Sequence, residues 1–237
     1  MPAIDLIAFD ADDTLWHTER LYVNAQARLA QLLDGYVDPA RVERYLYQAE
    51  TRNLEHFGYG VKAFALSMIE TAVELTEGKI SGADIQVLVG LARDMLTAPV
   101  ELIDHVKETI PRLAGTYALM VITKGDAVEQ EPKIARSGLA AFFRHVEVVS
   151  DKTASRYAVL LERYAVRPAG FLMVGNSLRS DILPVLELGA QAVYVPYATT
   201  WQHEAAEPPP PGQPGFHQLE HLGLLPALLQ QLERAGS

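Results

Sequence analysis

The sequence predicts an α/β protein, in which a doubly wound parallel sheet forms the core and a helical domain is inserted after the first strand. Two observations support this prediction. Short runs that are apolar throughout alternate with stretches of helical spacing, and such runs are typical of strands buried on both faces of a parallel sheet. One long block shows helical patterns and no strand, which indicates an insertion into the alternating core.

Each predicted strand is a short apolar run that ends in polar or small residues. The runs lie at 6–9, 117–122, 146–149, 171–174 and 192–195. Helical spacing predicts helices at 100–113, 128–137, 154–164, 180–188 and 222–232. Gly115, Gly138 and Gly189 follow three of these helices, where glycine commonly ends a helix.

The inserted block has no alternation of strands and helices. Amphipathic patterns at 21–33, 42–57, 61–75 and 85–96 predict that it is helical. We therefore predict an α/β core formed by residues 1–16 and 99–237 and a helical domain formed by residues 17–98. Within the helical domain, Leu66, Ile69 and Val73 are expected to be buried.

The composition and charge limit the classes of partner. The 237 residues include 30 acidic and 20 basic side chains, a formal net charge of −10, which argues against nonspecific binding to nucleic acid or to anionic membranes. Because the chain has no cysteine, thiolate nucleophiles and cysteine-ligated zinc are excluded. No signal peptide is visible, and no apolar run approaches the ~20 residues of a membrane span. We therefore expect a cytoplasmic protein.

Three carboxylates follow the first predicted strand, in the segment Asp10-Ala11-Asp12-Asp13-Thr14. In a parallel α/β sheet, ligands bind beyond the carboxyl ends of the strands. Carboxylates this close repel one another, and a bound cation would reverse that repulsion. Mg²⁺ is the expected cation, because it prefers hard oxygen ligands. Taken alone, the cluster is equally compatible with an acidic helix N-terminus.

Polar residues at the other strand ends favour the metal site. Thr123 and Lys124 close the second predicted strand, Lys152 follows the third, and Asn176 and Asp181 follow the fourth. Because the carboxyl ends of parallel strands lie at one edge of a sheet, we expect these side chains to converge there.

In these segments the sequence resembles the haloacid dehalogenase-like (HAD) hydrolase superfamily. Phe9-Asp10-Ala11-Asp12-Asp13-Thr14-Leu15-Trp16 is similar to its first motif and Val121-Ile122-Thr123-Lys124-Gly125 to its second. Lys152 matches the third motif, and the segment from Gly175 to Asp181 matches the fourth. The helical insertion directly after the first motif resembles the C1-type cap of this family, and the core would then be Rossmann-like.

The resemblance implies a phosphatase mechanism. Asp10 would be the nucleophile that becomes an aspartyl phosphate, and Asp12 would be the general acid and then the general base. Thr123, Lys124 and Lys152 would bind the phosphoryl group of a small phosphorylated metabolite. Lys152 would also balance the charge of Asp10.

The resemblance also implies a Mg²⁺ site formed by Asp10, the backbone carbonyl of Asp12, Asn176 and Asp181. The fourth motif commonly begins Gly-Asp, whereas Asn176 follows Gly175 here. An amide oxygen still coordinates Mg²⁺, but the site has one negative charge fewer.

Lys133 is a second candidate for the lysine of the third motif. We prefer Lys152, because it precedes the fourth motif by one helix and one strand, the order that the family shows. Lys133 is then expected to lie at the surface or to support the site from behind.

The preferred function is a Mg²⁺-dependent phosphomonoesterase. A 2-haloacid dehalogenase uses the same aspartate to attack carbon, but it needs no acid at the position of Asp12. A phosphomutase and a non-catalytic phosphoryl-binding scaffold remain alternatives. The turn from His56 to Gly60 is a candidate for substrate contact, and a plain interhelical turn is an equal alternative.

Overall fold

The computed structural model describes residues 4–199 and 201–236. In these residues the chain forms a six-stranded sheet in which every neighbouring pair of strands is parallel. The strands are β1 Leu6–Phe9, β2 Ala118–Lys124, β3 His145–Val149, β4 Phe171–Gly175, β5 Gln191–Tyr194 and β6 Phe216–Gln218. Their order is β3-β2-β1-β4-β5-β6, so β1 lies between β2 and β4. The predicted α/β fold is confirmed.

Helices connect the strands and also form the insertion. The insertion carries α1 Glu19–Leu32, α2 Pro39–Phe57, α3 Val61–Leu75 and α4 Gly82–Thr97. The remaining helices are α5 Val106–Ala114, α6 Ala127–Arg136, α7 Ala154–Arg163, α8 Leu183–Glu187 and α9 Leu225–Gly236. A π-helical turn, Leu178–Ile182, precedes α8. None of the helices in the described residues is long and apolar enough to cross a membrane.

The sheet is buried on both faces, which explains why its strands are apolar throughout. Ile7 and Phe9 of β1 pack in a layer with Val106 and Ile110 of α5 and with residues of α9. Leu6 and Ala8 point to the opposite face, where Tyr157 of α7 belongs to a second apolar layer. Alternate residues of one strand therefore serve two cores.

The chain divides into two compact units. One comprises residues 1–19, 100–124 and 132–237, and the other comprises residues 20–99 and 125–131. The segment 125–131, which lies outside the predicted insertion at residues 17–98, groups with the helical unit.

The helical unit has its own apolar core between α1, α2, α3 and α4. Phe64, Met68 and Ala72 of α3 are buried there. The expectation that Leu66 and Val73 are buried is wrong, because these side chains are 44% and 41% exposed. Both lie on a different face of α3 from Phe64 and Met68.

Two further elements differ from the sequence prediction. The helix predicted from residue 100 begins only at Val106, because the preceding stretch pairs with the loop after β1. His17 donates its backbone N–H to Glu101 O at 3.0 Å, and Ile103 donates to Leu15 O at 3.0 Å. Strand β6 was not predicted.

Candidate active site

The nucleophile candidate, Asp10, lies immediately after β1 in the middle of the sheet. Its backbone N–H donates to Val174 O of β4 at 2.9 Å, which continues the sheet by one residue. Lys152 Nζ lies 2.5 Å from Asp10 Oδ1 and 2.7 Å from Asp181 Oδ1. The side chains of Lys152 and Asp181 are each 1% exposed. A buried lysine therefore bridges two buried carboxylates, one directly after β1 and one in the π-helical turn that follows β4.

The electrostatics of this cluster show a shortage of positive charge. The pKa of Asp10 is raised to about 7, mainly by burial, against the opposing effect of Lys152 and with a contribution from the charge of Asp181. Burial acts to lower the pKa of Lys152, but the charges of Asp10 and Asp181 hold it above its usual value. One lysine is shared by two carboxylates, so a second cation would favour the ionised form of Asp10.

Asp12 is held by a different set of donors. Its Oδ1 accepts hydrogen bonds at 2.7 Å from the indole Nε1 of Trp16, from the hydroxyl of Thr18 and from Nζ of Lys133. The side chain of Lys133 is 12% exposed and makes a salt bridge with Asp12. The surface location that was one expectation for Lys133 is therefore wrong, and the expectation of a supporting role fits the contact.

Asp13 holds the loop that carries these residues. Its φ is 62°, a left-handed conformation that aspartate tolerates better than most residues. Its carboxylate accepts hydrogen bonds from the backbone N–H groups of Thr18 at 2.8 Å and Glu19 at 3.0 Å. Burial raises the pKa of Asp13 to about 6, although those hydrogen bonds act to lower it. Asp13 thus closes the loop around Asp12.

The fourth-motif segment brings Asn176 and Asp181 to the same strand end. Asn176 Oδ1 accepts a hydrogen bond from the hydroxyl of Thr14 at 3.2 Å, and that hydroxyl also donates to Asp10 Oδ2 at 3.1 Å. Asp181 Oδ2 accepts the backbone N–H of Ser177 at 3.0 Å. A Cβ at Gly175 would overlap the Asp181 carboxyl group, so this close approach requires glycine.

The end of β2 contributes Thr123 and Lys124. Thr123 is buried, and Lys124 Nζ donates to the hydroxyl of Ser180 at 2.9 Å and forms an ion pair with Glu204. Glu204 Oε2 also accepts from the hydroxyls of Ser177 and Ser180, both at 2.5 Å. Burial acts to raise the pKa of Glu204, but Lys124 and the two hydroxyls lower it overall.

Sequence reasoning missed Glu204. It lies in a 3-10 helical turn, Gln202–Glu204, between β5 and β6, where the sequence gives no strand end and no motif. Its partners, Lys124 at the end of β2 and Ser177 and Ser180 after β4, precede it by at least 24 residues. No local pattern could have identified it.

Carboxylate side chains alone do not form a metal site here. Among the described residues, no group of three or more His, Asp or Glu side chains is arranged to hold a metal ion. A cation at the Asp10 and Asp181 carboxylates would therefore need additional oxygens, such as the Asn176 amide, a backbone carbonyl or water.

Solved structures with a similar fold include hydrolases and dehalogenases of one family. A solved haloacid dehalogenase-like family hydrolase from Xanthomonas campestris is 42% identical, with a TM-score of 0.89 over 99% of this chain and 94% of its own. A 2-haloacid dehalogenase from Pseudomonas syringae pv. Tomato is 23% identical, with a TM-score of 0.64 over 97% of this chain and 99% of its own. At that identity it shows the shared fold alone.

A curated relative matches a smaller part of the chain. Glyceraldehyde 3-phosphate phosphatase from Pyrococcus furiosus is 32% identical over 97 residues, which span 38% of this chain and 40% of that protein. A family model for haloacid dehalogenase-like hydrolases, in contrast, matches residues 4–189. Because that match includes the helical insertion and the first four strands of the sheet, the chain belongs to the haloacid dehalogenase-like hydrolase family.

Proposed function

We propose that this hydrolase is a Mg²⁺-dependent phosphomonoesterase that acts on a small organic phosphate through an aspartyl phosphate. The observation that supports the proposal best is that two carboxyl groups in one loop have different hydrogen-bond partners. Asp10 is paired with buried Lys152, while Asp12, two residues later, is held by donors of its own. Such an arrangement suits one nucleophile and one acid–base group.

In the first half of the proposed reaction, a carboxylate oxygen of Asp10 attacks phosphorus. The bond between phosphorus and the ester oxygen breaks, and the proton of Asp12 moves to that oxygen, so that the alcohol leaves. Lys152 stabilises the negative charge of Asp10 before the attack and that of the phosphoryl group afterwards. Thr123 and Lys124 are the proposed donors to the phosphate oxygens, and phosphate would compete with Glu204 for Lys124.

In the second half, Asp12 is a carboxylate and removes a proton from water. The water oxygen attacks phosphorus, and the bond between phosphorus and Asp10 breaks. Inorganic phosphate leaves, the Asp10 carboxylate is restored, and Asp12 is again protonated. The two residues therefore return to their starting states after one turnover.

The residues present fit Mg²⁺ by their chemistry. The proposed ligands are oxygens of Asp10, Asn176 and Asp181 and the backbone carbonyl of Asp12, and Mg²⁺ in proteins typically keeps several waters besides such ligands. Burial raises the pKa of Asp10, and a cation bound at its carboxylate would favour the ionised form. When bound, Mg²⁺ supplies positive charge that offsets the repulsion between these carboxylates and a phosphate ester.

The helical unit is the proposed source of substrate selection. The motifs that carry the chemistry all lie outside residues 20–99. Within that range, the turn from His56 to Gly60 is the proposed substrate-contacting segment. Binding energy from the part of a substrate beyond the reacting group distinguishes one substrate from another.

Release of phosphate and chloride by the purified protein tests the proposal. p-Nitrophenyl phosphate and a panel of alkyl phosphates are assayed for phosphate, and 2-chloropropionate is assayed for chloride. Each assay is run after treatment with EDTA and again after Mg²⁺ is restored. We expect phosphate release that EDTA abolishes and Mg²⁺ restores. Chloride release that is insensitive to EDTA, without phosphate release, would instead assign the protein as a dehalogenase.

A further inference from the structure

Lys133 contacts the second carboxyl group of the site. It lies in the last turn of α6, and its Nζ is 2.7 Å from Asp12 Oδ1. The contact joins residues that are 121 positions apart, and the Lys133 side chain is only 12% exposed. A lysine stem held this far from solvent loses rotamer freedom, which an ordinary surface lysine keeps. The salt bridge therefore fixes the Lys133 side chain in one position at the site.

Lys133 shares one acceptor oxygen with two other donors. Trp16 Nε1 and the Thr18 hydroxyl approach the same Asp12 Oδ1, each at 2.7 Å. Both of these side chains are buried and belong to the loop that follows β1. Lys133 is the donor from a distant element, so it anchors the loop-borne carboxyl group to α6.

The two lysines near the loop have separate partners. Lys152 contacts Asp10 and Asp181, whereas Lys133 contacts Asp12. Lys152 thus lies against the proposed nucleophile, and Lys133 lies against the proposed acid. Loss of one lysine should therefore affect a different step from loss of the other.

We propose that Lys133 is a positioning residue that holds the Asp12 carboxyl group in the orientation for proton transfer to the leaving oxygen. The proposal rests on the proposed function, in which the Asp12 proton moves to the ester oxygen as the bond to phosphorus breaks. Precise orientation matters because proton transfer requires a hydrogen-bonded geometry at the moment of bond cleavage.

Substrates with different leaving groups distinguish a positioning role of Lys133 from a structural one. An aryl leaving group such as p-nitrophenolate departs as a stable anion and needs little protonation, whereas an alkoxide needs the proton of Asp12. A displaced Asp12 should therefore slow the hydrolysis of alkyl phosphates much more than that of p-nitrophenyl phosphate. A general loss of folded protein would lower both rates equally.

The experiment measures kcat and KM of Lys133→Met on p-nitrophenyl phosphate and on the alkyl phosphate that the wild-type protein hydrolyses fastest. We expect kcat on the alkyl phosphate to fall about 100-fold, near the lower end of what general acid catalysis contributes, and kcat on the aryl phosphate to fall less than about 10-fold. Lys133→Arg, which keeps a cation, should recover most of the alkyl activity. Arg136→Met, which removes an exposed cation from the same helix, should change neither rate.

A second comparison uses Asp12→Asn. If Lys133 acts through Asp12, adding Lys133→Met to Asp12→Asn should cause no further loss on the alkyl phosphate. Equal losses on both substrates, or full additivity with Asp12→Asn, would overturn the proposal. Should Lys133→Met fail to fold by circular dichroism, Lys133→Gln is judged by the same criteria, and if neither folds the role is structural.

Failure of the proposed function has a different signature. In that case the wild-type protein releases no phosphate, or Asp12→Asn leaves the ratio of alkyl to aryl rates unchanged. If Asp12→Asn slows the hydrolysis of alkyl phosphates more than that of the aryl phosphate, but the Lys133 variants slow both equally, only the positioning role is overturned.

Discussion

A carboxyl group buried in the helical unit should make the stability of the protein depend on pH. Glu50 of α2 is 8% exposed. Among the described residues, no hydrogen bond or ion pair to its carboxyl group is found. Burial raises its pKa from 4.5 to about 7. The folded protein therefore holds this carboxyl group in its neutral form over a range in which the unfolded chain ionises it.

The sign and size of the effect follow from proton linkage. Between pH 4.5 and about 7 the folded state keeps the Glu50 proton and the unfolded state loses it. The stability that this group contributes is fully present below pH 4.5 and is lost as the pH rises through about 7. At about 1.4 kcal/mol for each pH unit, the loss over this interval is about 3 kcal/mol.

Glu50→Gln tests this reasoning, because glutamine keeps the shape of the side chain and cannot ionise. The quantity to compare is the free energy of unfolding of the variant minus that of the wild type. This difference should be about 3 kcal/mol larger above pH 7 than below pH 4.5. Urea unfolding at a series of pH values measures the difference.

Glu55→Gln is the matched control, since Glu55 is an exposed residue of the same helix. Its difference from the wild type should stay within about 0.5 kcal/mol at every pH. A Glu50→Gln difference that is as flat with pH as that of the control would refute the assignment of a buried, neutral carboxyl group at this position.

Two further predictions concern the proposed activity. If Asn176 is a Mg²⁺ ligand, Asn176→Asp adds a negative charge and should lower the Mg²⁺ concentration for half-maximal phosphate release. If the Mg²⁺ titration of Asn176→Asp is unchanged and Asp181→Ala loses its metal dependence, Asp181 alone is the fourth-motif ligand. Tyr59→Ala should change kcat/KM among organic phosphates much more than it changes p-nitrophenyl phosphate hydrolysis, because binding outside the phosphoryl group distinguishes the substrates; equal losses on all substrates would assign Tyr59 to structure.

The central strands could be predicted because burial on both faces leaves a plain signal in the sequence. The apolar runs at 6–9 and 171–174 lie in β1 and β4, and β1 pairs with β4 along its whole length. Strand β6 leaves no such signal. It has three residues, Phe216-His217-Gln218, and pairs with β5 alone at the edge of the sheet, so little apolar surface is needed there.

Helical periodicity predicted α3 but not which of its faces is buried. Apolar residues occur on more than one side of this helix, so Leu66 and Val73 satisfy a helical pattern as well as Phe64 and Met68 do. Packing against α2 decides between them. Ser67 lies on the buried face because Asn53 of α2 donates to its hydroxyl at 3.0 Å.

Residues at strand ends could be brought together from the sequence, because topology alone places those ends at one edge. Asp10, Lys152 and Asp181 are linked in this way. Lys133 and Glu204 could not be assigned, since their partners depend on how α6 and the segment after β5 pack in three dimensions. Motif order can rank two lysines for one role, but it does not show that the second lysine contacts a different carboxylate.

The central claim is that Asp10 forms a covalent bond with the phosphoryl group. The most direct test is the release of inorganic phosphate by purified Asp10→Asn in the presence of Mg²⁺, with the wild-type protein assayed alongside. An amide cannot form the acyl phosphate, so the account predicts no turnover by folded Asp10→Asn on any phosphate ester that the wild type hydrolyses. Phosphate release by this variant at the wild-type rate would contradict the mechanism.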